Sequence, residues 1–222
     1  MKIACFIPVK LFSERVKGKN FRLIGEVPLY QAIIQKCVHS GVFSEVFVDS
    51  DSEEIEDFSE RIGASFINRH PDLSLNSANG NDLLCNHQER FSGFDYYFQA
   101  FATAPFLKIS TLVECVNQLV QSGEQDSILT VLKHKGFFWH ARQPISYRPS
   151  ILPRSQDLEP VYEETTGFYG ISNESLKRYR SRIGGKPIFF PVSKIEAVDL
   201  NTEEDFVYAN WLVETGRAFM EV

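Results

Sequence analysis

Lys10, Arg15, Lys17, Lys19 and Arg22 fall within one short connection of a 222-residue chain whose formal net charge is -6. The apolar run from Ile3 to Val9 precedes them and suits a strand covered on both faces. In open α/β sheets ligands sit outside the carboxyl ends of the strands. A strand that empties into a cationic loop is therefore placed for a phosphate group. Fixed cations and backbone N–H groups neutralise a polyphosphate there. Charge alone suits a solvated basic loop equally well. The loop has no GxxxxGK(S/T) and no GxGxxG, which argues against a kinase-type P-loop and against a dinucleotide-dependent dehydrogenase.

Three other groupings carry chemistry. Asp199 and Asn201 sit at alternate positions of an extended segment, so their side chains point to one side. Taken alone, Asp199 also reads as an ordinary acid flanking a helix. Gln99 lies in the segment from Phe98 to Leu107, which follows a strand and precedes a helix. Arg154, Gln156, Tyr162, Phe168 and Tyr169 fall in one block, in which the last two read by themselves as core strand aromatics. His39, His87, His134 and His140 form no triad or metal spacing.

In order, these segments resemble the sugar-acid cytidylyltransferases, the group that activates sialic acids and related 2-keto-3-deoxy sugar acids with CTP. The family's first signature is similar to I-P-A-R-G-G-S-K-R-I-P-G-K-N. Ile7, Pro8, Ser13, Arg15, Gly18, Lys19 and Asn20 match it without a gap. Lys10 stands for an arginine, Leu11 and Phe12 for two glycines, and Glu14 for a lysine. Asn68 to Asp82 resembles the family's base-reading segment, with His70 inserted. Phe98 to Leu107 resembles Q-x-x-x-T-S-P-F/L-L, with Ala104 for the serine. Arg154 to Tyr169 resembles R-x-Q-D-L-x-P-x-Y-x-E-x-G-x-x-Y. Val198 to Phe206 resembles I-D-I-D-T-E-E-D-F, with Asn201 for the second acid.

The resemblance implies transfer of CMP from CTP to the anomeric hydroxyl of a sugar acid, with release of pyrophosphate. It assigns Lys10, Arg15, Lys19 and Asp199 to catalysis. It assigns Lys10, Ser13, Lys19, Asn20, Arg69, Asn79 and Asn81 to the nucleotide, Arg69 as a donor to the base carbonyl. It assigns Gln99, Arg154, Gln156, Tyr162, Phe168 and Tyr169 to the sugar acid, Arg154 clamping its carboxylate. Asp199 and Asn201 would hold Mg²⁺, the implied cofactor, and Asn201 would bring no charge to it.

The elements that must position these residues alternate along the chain. Strands are expected at Ile3–Val9, Glu45–Asp49, Ala64–Ile67, Phe94–Ala100, Ser127–Leu132, Gly167–Ile171 and Pro187–Val192. Helices are expected after Pro28, after the Ser50-Asp51-Ser52 cap, near Asp82–Arg90, over Ile109–Gln121, after Asn173 and after Thr202. The segment Asn68–Asn81 reads as loop. This order predicts one three-layer α/β/α domain over 1–222 with a mainly parallel sheet, which the resemblance makes a nucleotidyltransferase-type, Rossmann-like fold. Residues 133–163, rich in proline and polar residues, read as a protruding arm or lid; by the resemblance it builds a homodimer.

Composition sets the remaining bounds. Apolar residues at 43% and charged residues at 23% are ordinary globular values. The acidic balance argues against a nucleic-acid surface, and no apolar run suits a membrane span. Cys5, Cys37, Cys85 and Cys115 are widely spaced, which suggests reduced, partly buried thiols in a cytoplasmic protein. Two other readings stay open: a nucleotidyltransferase for another base or acceptor, and a non-catalytic nucleotide- or sugar-binding protein.

Overall fold

The period-2 pattern of the first strand divides the molecule. In β1 (Ile3–Val9) the side chains of Ile3, Cys5, Ile7 and Val9 enter one core, and those of Ala4 and Phe6 enter another. The computed structural model describes residues 1–13, 15–70, 73 and 78–222. After β1 the described elements run β2 (Leu23–Ile24), β3 (Val27–Pro28), α1 (Leu29–His39), β4 (Glu45–Ser50), α2 (Glu53–Ile62), β5 (Ser65–Asn68) and α3 (Gly80–Arg90). There follow β6 (Tyr96–Ala100), α4 (Ile109–Ser122), β7 (Ser127–His134), β8 (Trp139–His140), β9 (Gln143–Pro144), β10 (Val161–Ser172), α5 (Asn173–Tyr179), β11 (Pro187–Pro191) and α6 (Glu203–Glu214).

The central sheet has seven strands in the order β11-β7-β10-β6-β1-β4-β5. Only β10 runs antiparallel to its neighbours within it. Residues of α1, α2, α4 and α6 fill the core on one face, and residues of α3 and α5 fill the other, so the mainly parallel three-layer expectation holds. The chain steps outward from β1 through β4 to β5, then returns to the other side of β1 at β6. That reversal opens a crevice at the carboxyl end of β1.

Local signals account for most element ends. Gly63 closes α2 with φ 86°, a left-handed conformation that suits glycine. The box expected at Thr202 forms, with the Thr202 side chain accepting from the Asp205 N–H. Two starts shift. Helix α3 begins at Gly80 because Asn79 Oδ1 accepts from the N–H groups of Asn81 and Asp82. Helix α5 is capped by Ser172 and not by Asn173. The strand expected at Gly167–Ile171 is the end of β10, twelve residues long, broken by a bulge between Glu164 and Tyr169. Between β7 and β10 lies the β8–β9 hairpin, whose Ala141 and Arg142 have φ 46° and 65°. Trp139, Ile151 and Leu152 in this segment are exposed. All four cysteines are free and buried. No helix among the described residues is long and apolar enough to cross a membrane.

A buried ion network ties β4, β5 and α3 together. Arg69 Nε donates to Asp49 Oδ1 at 2.9 Å, and Arg69 Nη2 donates to the Asp49 carbonyl at 2.7 Å. His87 Nε2 donates to Asp49 Oδ2 at 2.7 Å while its ring stacks on Phe6, 4.5 Å between centroids. Burial pushes the Asp49 carboxyl up, but the His87 hydrogen bond and the Arg69 charge outweigh it and hold the carboxyl below its ordinary value. The depressed carboxyl stabilises the fold fully above the unfolded value of about 3.9, and that contribution fades as pH falls through the native value. Asp49→Asn leaves Arg69 buried without its counter-charge and is expected to cost about 3 kcal/mol at pH 7 in urea unfolding. The gap between wild type and variant should narrow as the pH drops below about 4. A gap that stays constant with pH would contradict this assignment.

Candidate active site

The crevice at the end of β1 is a cavity of about 300 Å³. The connection after β1 lines it with Lys10, Phe12, Ser13, Arg15, Lys19 and Asn20; Arg69, Asn79, Gly80 and Phe101 complete it. The connection is held at three points. Asn20 Nδ2 donates to the Lys10 carbonyl at 2.8 Å, the Leu11 N–H donates to Asp51 Oδ1 at 2.8 Å, and Lys19 Nζ donates to the Leu200 carbonyl at 3.0 Å. Gly18, at φ 61°, permits the tight turn into Lys19. Burial lowers the Lys19 pKa, and the Asp199 carboxylate opposes that shift. Arg69 spends two nitrogens on Asp49. Its third, Nη1, is buried with no partner among the described residues. Arg69 lines the cavity, and a buried guanidinium nitrogen without an acceptor is an exception among buried polar groups.

A second cavity shares Arg15, Lys19 and Phe101 with the first and adds Thr103, Thr166, Arg182, Asp199 and Asn201. Leu200 is buried between Asp199 and Asn201, and its N–H donates to the Thr103 carbonyl at 3.0 Å. The two polar side chains therefore project together. Asp199 Oδ2 accepts from Thr166 Oγ1 at 2.9 Å and from Asn201 Nδ2 at 2.6 Å. Thr166 sits in the β10 bulge at φ 55°, a strained conformation for a β-branched residue. Asp199 and Asn201 also line an acidic cavity with Glu163, Glu164 and Asp205 in its walls. Burial raises the Asp205 carboxyl, and the N–H groups of Asn201 and Thr202 together bring it below its ordinary value.

No three His, Cys, Asp or Glu side chains among the described residues converge on one metal position. Asp199 keeps one oxygen without a hydrogen-bond partner among the described residues. Asn201 turns its amide nitrogen, not its oxygen, toward Asp199. This donor set fits a Mg²⁺ that takes one carboxylate, phosphate oxygens and water, and not an all-protein cage.

The residues singled out in the sequence divide in two. Lys10, Ser13, Arg15, Lys19, Asn20, Arg69, Asn79, Asp199 and Asn201 border the joined cavities. Others are placed differently. Asn81 Oδ1 accepts the Arg182 N–H at 3.0 Å, because the second residue of α3 faces the loop after α5. Phe168 packs on Phe98 in the core, since neighbours on a strand point to opposite faces. Its neighbour Tyr169 points the other way and donates to Glu164 at 2.8 Å. Gln99 is buried; its Nε2 donates to the Gly80 carbonyl at 3.1 Å, and its Oε1 has no partner among the described residues. Arg154 is largely exposed and paired with Asp157. The Gln156 carbonyl accepts from Lys135 Nζ at 2.8 Å, and Tyr162 packs on Phe189. None of these last three borders the joined cavities of one chain. Glu14 and most of the segment from Pro71 to Ser77 lie outside the described residues.

Sequence reasoning passed over Thr166, Arg182 and Phe101. The glycine after Thr166, inside a strand pattern, is a bulge signal that points to it. Arg182 ends the basic run Lys177-Arg178-Tyr179-Arg180-Ser181-Arg182, which reads as a solvated surface.

Comparison with known proteins follows the same lines. The chain is 26% identical over 215 residues to N-acylneuraminate cytidylyltransferase A of Danio rerio, covering 93% of this chain and 50% of that protein. It is 27% identical over 239 residues to the CMP-N,N'-diacetyllegionaminic acid synthase of Legionella pneumophila, covering 96% of this chain and 97% of that one. The chain thus spans about half the length of the N-acylneuraminate relatives it matches. A solved CMP:2-keto-3-deoxy-manno-octonic acid synthetase complexed with CTP shares the fold, with TM-score 0.70 at 15% identity over 97% of this chain and 100% of that chain. The family model described as Cytidylyltransferase matches residues 4–189, and with that match the chain belongs to the cytidylyltransferase family.

Proposed function

We propose that the chain transfers CMP from CTP to the anomeric hydroxyl of a 2-keto-3-deoxy sugar acid. The observation that carries the reading is the joined cavity. Arg69, whose buried Nη1 is unpaired among the described residues, lines its first part together with Lys10, Arg15 and Lys19, and Arg15 and Lys19 also line the part that holds Asp199. Arg69 suits the base carbonyl, and Lys10, Arg15 and Lys19 suit the triphosphate. The relatives named as cytidylyltransferases and CMP-sugar-acid synthases support the nucleotide and the acceptor class.

In this reading the acceptor hydroxyl attacks the α-phosphorus. The bond to the β-phosphate breaks, pyrophosphate leaves, and the hydroxyl proton is lost. The chain contributes position and charge, with no covalent enzyme intermediate. Lys19 is fixed at both ends of its work: its backbone turns the loop and its ammonium rests on the Leu200 carbonyl beside Asp199. Mg²⁺ held by Asp199 would offset charge on the phosphates. Thr166 and Asn201 orient that carboxylate. The acidic cavity beyond it repels a polyphosphate and confines it to the cationic side. We also propose that the 133–163 segment, with Trp139, Ile151 and Leu152 exposed, joins two copies of the chain.

Pyrophosphate release with Mg²⁺, across four nucleoside triphosphates and a panel of 2-keto-3-deoxy sugar acids, tests the function. Release with CTP and an acid is expected. Nucleotide binding without release would favour a binding protein instead. Lys19→Met should lower kcat by about 10²-fold, the usual effect of removing one electrostatic stabiliser, with the circular dichroism spectrum unchanged. Asn201→Asp adds a charge beside Asp199 and should lower the Mg²⁺ concentration for half-maximal rate. An unchanged Mg²⁺ requirement would place the cation elsewhere. Sedimentation velocity should give a dimer that Trp139→Glu with Leu152→Glu dissociates; a fully active monomeric wild type would refute the joined pair.

A further inference from the structure

We propose that Arg182 holds the carboxylate of the acceptor, next to Gln99, which the family resemblance already gives to the sugar acid; this rests on the sugar-acid reading above. Arg22, Arg69, Arg154 and Arg180 each pair with a carboxylate of this chain. Arg182 pairs with none among the described residues, although it borders the cavity that contains Asp199. Its guanidinium carbon lies 3.7 Å from the Tyr169 ring centroid and 5.6 Å from that of Phe101. An arginine stacked on aromatic rings keeps the N–H groups of its edge for a planar, bidentate partner.

The loop that carries Arg182 is built to hold it still. The Arg182 N–H donates to Asn81, the Gly184 N–H to Ser127 Oγ at 2.9 Å, and the Gly185 and Lys186 N–H groups to the Asp126 carboxylate at 2.8 and 2.9 Å. Tyr169, the stacking platform, is tethered by its hydroxyl to Glu164.

An independent observation lies next to it. Gln99 is wholly buried, and its Oε1 has no partner among the described residues. A Cβ on Gly80 would fall 2.7 Å from Arg182 Nη1 and 3.1 Å from Gln99 Oε1. The unpaired cation and the unpaired acceptor therefore converge on the one residue whose missing side chain leaves them room. A donor edge beside an orphan acceptor matches a carboxylate with a neighbouring hydroxyl, the groups that a sugar acid carries together. Arg15 and Lys19 belong to the phosphate side of the cleft. Arg154, mostly exposed and neutralised by Asp157, is the poorer clamp within one chain.

The test is calorimetric binding to the full chain in the presence of a non-hydrolysable CTP analogue. The probes are N-acetylneuraminic acid, 2-keto-3-deoxy-manno-octonic acid and the methyl ester of each. Wild type should prefer an acid to its ester by about tenfold or more, the scale of a lost charge-assisted pair. Arg182→Gln should erase that preference and Arg182→Lys keep part of it, with CTP affinity unchanged in both. A preference that survives in Arg182→Gln, or that disappears in Arg154→Gln instead, overturns the assignment to Arg182. A wild type that binds the CTP analogue but neither acid, and releases no pyrophosphate with them, overturns the sugar-acid reading and this inference with it.

Discussion

A single buried lysine joins the two halves of the site. Lys19 and Leu200 are 181 residues apart, and the Lys19 ammonium donates to the Leu200 carbonyl. That bond fixes the connection after β1 against the segment that presents Asp199 and Asn201. Leu200 supplies the other half of the constraint, because its apolar side chain is buried and its N–H is held by Thr103. Breaking the contact would free the loop from the acid. A buried ammonium needs such a partner, and burial already draws its pKa down. The cost of holding Lys19 there is the condition for placing cation and carboxylate in one cleft.

Charge is sorted around this contact. The chain is acidic, yet Lys10, Arg15, Lys19 and Arg69 line the cavity after β1, while Glu163, Glu164 and Asp205 line a separate cavity with Asp199. Field lines in a low-dielectric cleft are focused, so local sorting outweighs the net charge for a bound polyphosphate. The Arg69–Asp49–His87 network works at the opposite end. It holds a guanidinium rigid by two of its nitrogens and leaves the third unpaired among the described residues. The strained Thr166 does the same for Asp199, at the cost of a backbone conformation that β-branched residues avoid.

The layered fold was readable because its signals are local. Continuous apolar runs marked β1, β4 and β7. Gly63, Thr202 and the Ile109 periodicity marked helix ends and faces. The cationic connection after β1 was equally plain, since five cations in one loop need no tertiary information. What escaped has a common cause. The length and direction of β10 depend on pairing with β6 and β7, which no period-2 pattern in β10 itself encodes. Phe168 and Tyr169 read alike in sequence, but the strand sends one into the large core and the other onto the opposite face, against Leu129, Val131 and Arg182. Arg182 was invisible because a basic run on a short helix resembles solvated surface until the Asn81 and Ser127 contacts fold it over Tyr169. Asn79 and Asn81 both looked like base-reading residues; helix capping takes the oxygen of one and the Arg182 loop takes that of the other.

The account turns on where the nucleotide lies. A crystal structure of the chain with CTP would decide it. The triphosphate should rest on Lys10, Arg15 and Lys19, with the base within hydrogen-bond distance of Arg69 Nη1 and the α-phosphate facing the Arg182–Asp199 cavity. A triphosphate bound outside that cationic connection, with Arg69 Nη1 still unpaired, would contradict it.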